Sequence, residues 1–277
     1  TLKLNPENPE PNSTVSITLE SYSFDVDTAL ITWVIGGKTV LEGEGRDTLT
    51  VKTGGVGEMI PIIVIARTAS GGEVVQRITI TPSSILLLYE APKSYVPLFY
   101  EGRSLPSDGA LVRVSAFPAL SDDGVMVPPS RLAYSWYVND VIFKNASGIG
   151  KQSANIRLDY LRSVNDVKVV VRTPLGTVGT KKIAISPHPI MPLLYNHDPI
   201  LGSNFTKLVE KRYETIKDFT LSLEPLYISL DGARGPSYKW YLDGLPTTPL
   251  GEKVLALHPK ENSYGTKILS IELAGPD

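Results

Sequence analysis

Three histidines, His188, His197 and His258, are the side chains best suited to acid–base work near neutral pH, and the chain has no cysteine to act as nucleophile, thiolate ligand or disulfide partner. None of the three stands at ligand spacing from another metal-binding residue on one strand face. His197-Asp198 comes nearest to a dyad, but neighbours on an extended strand point to opposite faces, so the histidines read as solvent-exposed linker residues. No G-x-S-x-G, H-E-x-x-H, P-loop or G-x-G-x-x-G occurs in a supporting context. Gly43-Glu44-Gly45 lies between strand-like runs and lacks the third glycine and the helix that phosphate binding requires. Hard cations need several oxygens converging on one point. Two acidic pairs are therefore calcium candidates: Asp25 and Asp27, on one side of an extended segment, and Asp122-Asp123 in a long loop. The plain alternative for both is a solvated loop, and no other cofactor is expected.

Aromatic side chains offer the other chemistry, stacking against a sugar or a partner. Tyr89, Tyr95, Phe99 and Tyr100, with Tyr134 and Tyr137 further on, are candidates, although strand spacing favours sandwich core and interdomain packing. Sequons stand at Asn12, Asn145 and Asn204, a number close to what chance gives in a chain this long. With 27 basic and 29 acidic residues the net charge is −2, which leaves no electrostatic footprint for nucleic acid or anionic lipid. No run of about 18 apolar residues is present. A chain that starts at Thr1 is expected to be a fragment, with any signal peptide or membrane anchor lying outside it.

The elements that must position these residues announce themselves by a repeat. The only tryptophans are Trp33, Trp136 and Trp240, 103 and 104 residues apart. Each sits in a strand-like run: Leu30–Ile35, Tyr134–Val138 and Tyr238–Leu242. Three positions after each Trp comes a two-residue turn, Gly36-Gly37, Asn139-Asp140 or Asp243-Gly244, of residue types that tolerate positive φ and close tight hairpins. Glycine-bearing loops follow at Gly43/Gly45, Gly148/Gly150 and Gly251, and then short strands at 49–51, 154–158 and 254–257. The most apolar strand of each copy comes next, at 62–66, 167–171 and 268–273. In the first two copies it ends on Arg67-Thr68 or Arg172-Thr173, and a last strand closes on Ile80-Thr81-Pro82 or Ile185-Ser186-Pro187. The segments after those prolines, Leu86–Pro92 and Pro192–Pro199, resemble one another and read as first strands. The third copy reaches Gly275-Pro276-Asp277 just after its strongest strand, so its last strand is expected to be missing.

This reading gives an all-β chain of three tandem two-sheet β-sandwich domains, at 1–83, 84–188 and 189–277, in an extended row; the resemblance set out next makes them immunoglobulin-like. The middle copy is lengthened before its Trp by 119–131, which contains Asp122, Asp123, Pro128 and Pro129 and is the best place for grafted recognition. Lys207–Lys217, with Leu208, Val209, Tyr213 and Ile216 among its charges, fits either a short helix or a charged edge strand.

The Trp-plus-three hairpins and the strand ending Arg67-Thr68 or Arg172-Thr173 resemble the immunoglobulin-like superfamily, in particular bacterial Ig-like and PKD-like surface modules. The chain departs from antibody-type domains in lacking the cysteine pair around the Trp, and Asp243-Gly244 is the best approximation to the PKD turn. The resemblance implies a non-catalytic, extracytoplasmic structural or adhesive module, in the cell envelope or secreted, with a protein or glycan partner at the cell surface. An accessory polysaccharide-binding region of an extracellular enzyme and a scaffold subunit of a secretion or pilus assembly are the alternatives.

Overall fold

The computed structural model describes residues 1–210, 217–231, 236–249, 253–260 and 265–274. Runs rich in Val, Ile, Thr and aromatic residues, alternating in burial, form strands, and paired positive-φ residues turn them. The first repeat holds β1 (Leu2–Asn5), β2 (Thr14–Leu19), β3 (Leu30–Ile35), β4 (Lys38–Glu44), β5 (Thr48–Lys52), β6 (Ile60–Arg67) and β7 (Glu73–Ile80). These make two sheets, ordered β1-β2-β5 and β4-β3-β6-β7. Val15, Ile17 and Leu19 of β2 and Leu49 of β5 meet Ile31 and Trp33 of β3 and Ile62, Val64 and Ala66 of β6 in one core. Two antiparallel sheets with their apolar faces together constitute a β-sandwich.

The middle repeat holds β8 (Ser84–Glu90), β9 (Leu111–Ala119), β10 (Ser121–Asp122), β11 (Val125–Met126), β12 (Ala133–Val138), β13 (Val141–Ile142), β14 (Gly148–Ile149), β15 (Ser153–Arg157), β16 (Asn165–Arg172) and β17 (Val178–Ile185). Its sheets are β15-β9-β8 and β13-β12-β16-β17, with β14 also on β12. Gly179 of β17 lies so close to β8 that an added Cβ would come within 3.0 Å of the Ile85 side chain. The third repeat holds β18 (Met191–Asp198), β19 (Gly202–Leu208), β20 (Phe219–Leu226), β21 (Ser237–Leu242), β22 (Leu245–Pro246), β23 (Val254–Leu257) and β24 (Leu269–Ala274). Sheets β19-β18-β20-β23 and β22-β21-β24 enclose Leu223, Trp240 and Leu255.

By compactness the chain divides into two units. One comprises Thr1–Leu88, Ser115–Ala154 and Asp166–Ile183; the other comprises Tyr89–Val114, Asn155–Asn165 and Ala184–Asp277. This grouping is spatial, and the repeat limits at 83 and 188 are a separate, sequence-based division. Among the described residues the helical turns are the 3-10 turns Pro129–Arg131 and Lys144–Ala146, and no helix is long and apolar enough to cross a membrane.

Several local readings change. The stretch 119–131 is not an open loop: β10 and β11 form a hairpin about Asp123-Gly124, with φ of 48° and 79°, followed by the 3-10 turn. Positive φ at both central residues is the type I′ geometry that Asp-Gly favours. A second long connection, 91–110, separates β8 from β9, and the hairpin β18–β19 adds an edge strand to the third repeat. Lys207 and Leu208 close that edge strand, whereas Tyr213 and Ile216 lie outside the described residues, as do Gly251 and Gly275-Pro276-Asp277.

Candidate functional site

The tryptophans occupy matching positions, Trp33 opposite Val64, Trp136 opposite Val169 and Trp240 opposite Ile271. All three are buried, at 0%, 0% and 1% exposure. A buried indole N–H needs an acceptor. Trp33 Nε1 donates to the Arg46 carbonyl at 2.8 Å, and Trp136 Nε1 donates to the Lys151 carbonyl at 3.0 Å. Each acceptor directly follows a Gly-x-Gly loop, Gly43-Glu44-Gly45 or Gly148-Ile149-Gly150. The second glycine needs to be glycine: φ is 63° at Gly45 and 70° at Gly150, and an added Cβ would meet the Asp27 carbonyl at 3.0 Å or the Ser130 carbonyl at 3.2 Å. The loop therefore serves the core of its own sandwich.

The Arg-Thr dipeptide has an equally local purpose. Thr68 Oγ1 accepts the Gly72 amide at 3.0 Å, and Thr173 Oγ1 accepts the Thr177 amide at 2.9 Å, each closing the turn to the last strand. In the middle repeat Asp122 joins this turn. Its carboxylate accepts from the Thr173 hydroxyl, from the Leu175 amide at 3.1 Å and from the Thr177 hydroxyl at 3.3 Å. Desolvation works to raise the Asp122 pKa, but these donors outweigh it and hold the carboxyl below its ordinary value. Asp122 is thus engaged as a clamp, while Asp123 is exposed in the hairpin turn. Asp25 and Asp27 are both exposed, and Asp25 Oδ1 accepts the Asp27 amide at 3.0 Å. Among the described residues no group of three or more His, Asp or Glu is placed to hold a metal ion.

The structure separates the three histidines. His258 is exposed and stands 2.8 Å from Asp218. His197 Nδ1 lies 2.9 Å from Ser203 Oγ across the β18–β19 hairpin. His188 is half-buried rather than exposed, with its ring edge-on to Tyr227 at 6.3 Å. Asp198 Oδ1 accepts the amides of Ile200 and Leu201, both at 2.8 Å, and these bonds lower its pKa. That carboxylate holds the hairpin tip, on which Ile200 and Leu201 are 91% and 88% exposed.

The aromatic residues of the 91–110 connection are brought together with the third repeat, all within the second compact unit. Backbone bonds run from Tyr95 N to Ile228 O and from Tyr227 N to Tyr95 O, both at 2.8 Å. Tyr95 OH donates to Glu224 Oε2 at 2.6 Å, and Lys253 Nζ stands 4.2 Å above its ring. Burial first, and then the Glu224 carboxylate, push the Tyr95 pKa up. Phe99 stacks on Phe205 at 4.5 Å and meets Tyr195 edge-on at 5.7 Å. Tyr100 and Tyr227 share a 2.6 Å hydroxyl–hydroxyl bond, and Tyr227 holds a φ of 66°, a left-handed conformation rare for a bulky residue. Arg157 pairs with Asp231 at 2.9 Å, where the Asp231 side chain is only 7% exposed.

Sequence reasoning missed Glu224, Tyr227 and Asp231 as the receiving side of this contact. The available signal was Pro225-Leu226-Tyr227-Ile228, where the alternation of Leu221-Ser222-Leu223-Glu224 gives way to successive apolar residues, the mark of a segment covered on both sides. Tyr89 and Tyr195, aligned by the similarity of Leu86–Pro92 to Pro192–Pro199, do not share an environment. Tyr89 shares the strand face of buried Ile85 and Leu87 and lies under Arg103, whereas Tyr195 shares the face of Leu193 and Glu224 and packs on Phe99 and Phe205.

One cleft of about 550 Å³ opens at the β18–β19 end of the third repeat. Asn196, His197, Asp198, Ser203, Asn204 and Thr220 supply polar groups around a single aromatic, Phe219.

No family model matches the chain, and no curated protein matches it. Among solved structures it is similar to the fibronectin(III)-like modules of Clostridium thermocellum CbhA, at 11% identity over 68% of this chain and 94% of that one, with a TM-score of 0.30. The central fibronectin-III array of RIM-binding protein aligns at 13% identity over 100% of this chain and 91% of that one, with a TM-score of 0.28. SGBP-B of the Bacteroides ovatus mixed-linkage glucan utilization locus, solved with a mixed-linkage heptasaccharide, aligns at 13% identity over 95% of this chain and 58% of that one, with a TM-score of 0.21.

Proposed function

We propose that this chain is a non-catalytic structural or adhesive module of an extracytoplasmic protein, a spacer or interaction region at the cell surface. The observation that carries the reading is the contact made by 91–110. Tyr95, Phe99 and Tyr100 bind a connection of the middle repeat to strands of the third through hydroxyl bonds, ring packing and backbone pairing. Such a contact suppresses the hinge that a short exposed linker would provide, which suits a spacer. The conspicuous titratable groups are engaged in turns: Asp122, Asp198 and Asp25 each accept backbone amides. Pull-down from cell-surface extracts and turnover assays against hydrolase and transferase substrates test the reading on the intact chain. Turnover that survives purification and is lost on changing one residue refutes it.

A second reading rests on the cleft around Phe219. One aromatic face ringed by amide, hydroxyl and imidazole groups suits a neutral sugar, the aromatic stacking on C–H groups and the polar side chains pairing with hydroxyls. A glycan array distinguishes the readings. Binding that falls with Asn196→Ala and Phe219→Ala favours an accessory polysaccharide-binding region.

A further inference from the structure

A cavity of about 230 Å³ lies where the turn after β1 meets the junction of β7 with β8 and the start of β17, all within the first compact unit. Its frame is fixed by hydrogen bonds. Ser83 N donates to the Pro9 carbonyl at 3.1 Å, Thr53 Oγ1 donates to the Glu10 carbonyl at 2.7 Å, and Lys181 Nζ ties Glu10 to β17 at 2.7 Å. The side chains of Asn8, Thr79, Thr81 and Ser83 line the cavity, and none of them has a hydrogen-bond partner among the described residues. Ser83 is only 8% exposed. A polar group so enclosed is ordinarily answered by the fold, and here the cavity is where its hydroxyl can be answered.

Charge decides what class of ligand fits. Glu7 is the one ionisable residue of the lining and forms no ion pair among the described residues, whereas Glu10, three positions on, is answered by Lys181. Thr177, also in the lining, spends its O–H on Asp122 at 3.3 Å, so its oxygen can only accept from a ligand. Acceptors beside an uncompensated negative charge call for a ligand that donates hydrogen bonds and is positive. Leu4, Ile80 and Val178 supply apolar wall, which methylene groups can cover while a charged head stays with the polar groups. The volume is below the roughly 300–1,000 Å³ of pockets that take whole small molecules, and so suits a single side chain. We infer that this cavity binds a primary ammonium on an aliphatic stem, the chemistry of a lysine side chain presented by a partner protein. The ammonium donates to the Glu7 carboxylate and to the hydroxyl oxygens of Ser83 and Thr177, and the stem lies against Leu4 and Ile80. The site is separate from the cleft around Phe219, and its ligand is a cation rather than a neutral sugar.

The probe is free lysine blocked at both ends, as the Nα-acetyl N-methylamide, titrated into the whole 277-residue chain and followed by amide NMR shifts. Saturable shifts at Thr81, Ser83 and Thr177 are expected, with a Kd on the order of 1 mM. Acetylating the side-chain nitrogen of the probe keeps the stem and removes the charge, and is expected to weaken binding roughly tenfold or more. Glu7 is exposed, so Glu7→Gln keeps the fold and is expected to weaken binding by about fivefold or more. Ser83→Ala is expected to weaken it about threefold, with exchange across β2 and β3 unchanged in both variants. No saturable shift by about 50 mM probe overturns the inference, as does equal binding of the charged and acetylated probes or of Glu7→Gln and the parent chain. Calcium or methyl glucoside that moves the same amides at lower concentration than the probe identifies a metal or sugar site and overturns it too. Glucosamine that matches the blocked lysine shows that the aliphatic stem is not recognised, and overturns the assignment to lysine.

Discussion

Removing the Trp33 ring tests whether each repeat is a sandwich built around its tryptophan. The side chain is fully buried among Val15, Ile17, Ile31, Ile62 and Val64, and its N–H satisfies the Arg46 carbonyl at 2.8 Å. Trp→Ala in such a site costs about 3–5 kcal/mol through lost transfer energy and the cavity left behind. Trp33→Phe keeps most of the apolar volume and loses chiefly the indole hydrogen bond, so about 1 kcal/mol plus a small cavity contribution is expected. A chain of several sandwiches has no single unfolding free energy, so the effect is best read locally by amide hydrogen exchange. Where exchange proceeds by reversible opening, Trp33→Ala is expected to accelerate the amides of β3 and β6 by roughly a hundredfold to several thousandfold, since about 1.4 kcal/mol is tenfold. Trp33→Phe is expected to give roughly tenfold. The amides of β21, around Trp240, should be unchanged. Acceleration below fivefold in Trp33→Ala, or equal acceleration at β21, refutes the reasoning.

Gly150→Ala should destabilise β12 and β14 by about 1–2 kcal/mol for the left-handed backbone, with a further cost because the new Cβ would sit 3.2 Å from the Ser130 carbonyl. Gly109→Ala, at φ +68° with open space around it, should show only the backbone cost, both effects being read by local amide exchange. The folded-state pKa of Asp122 is depressed, so its contribution is present above the unfolded value of about 4 and is lost as pH falls through the folded value. Asp122→Asn should therefore flatten the acid limb of exchange protection in the β16–β17 turn, and an unchanged limb would contradict the clamp. Tyr95→Phe combined with Tyr100→Phe removes the bonds to Glu224 and Tyr227 and should speed proteolytic cleavage within 91–110 while leaving β3 exchange untouched. Millimolar calcium should leave the thermal midpoint unchanged, and a rise abolished by Asp25→Asn would restore a cation site there.

The local grammar of this chain was legible in its residues. Gly36-Gly37, Asn139-Asp140 and Asp243-Gly244 adopt positive φ at both positions, because few other residue types tolerate that conformation, and the strands around each tryptophan follow from period-two alternation. What alternation cannot encode is which outward face will be covered. The packing of Phe99 on Tyr195 and Phe205, the Tyr95–Glu224 bond and the Arg157–Asp231 pair join residues far apart in the chain, and no spacing rule links them. Parity was misjudged for the same reason. Leu86–Pro92 and Pro192–Pro199 look alike as strings, yet their tyrosines fall on opposite faces, since side-chain direction depends on register against a neighbouring strand. The sequence by itself determined the strands, the hairpins and the repeated tryptophan. Tertiary structure decided that Asp122 would close a turn 51 residues away and that the Gly-x-Gly loop would feed a carbonyl to an indole, because both depend on a sandwich bringing distant backbone into contact.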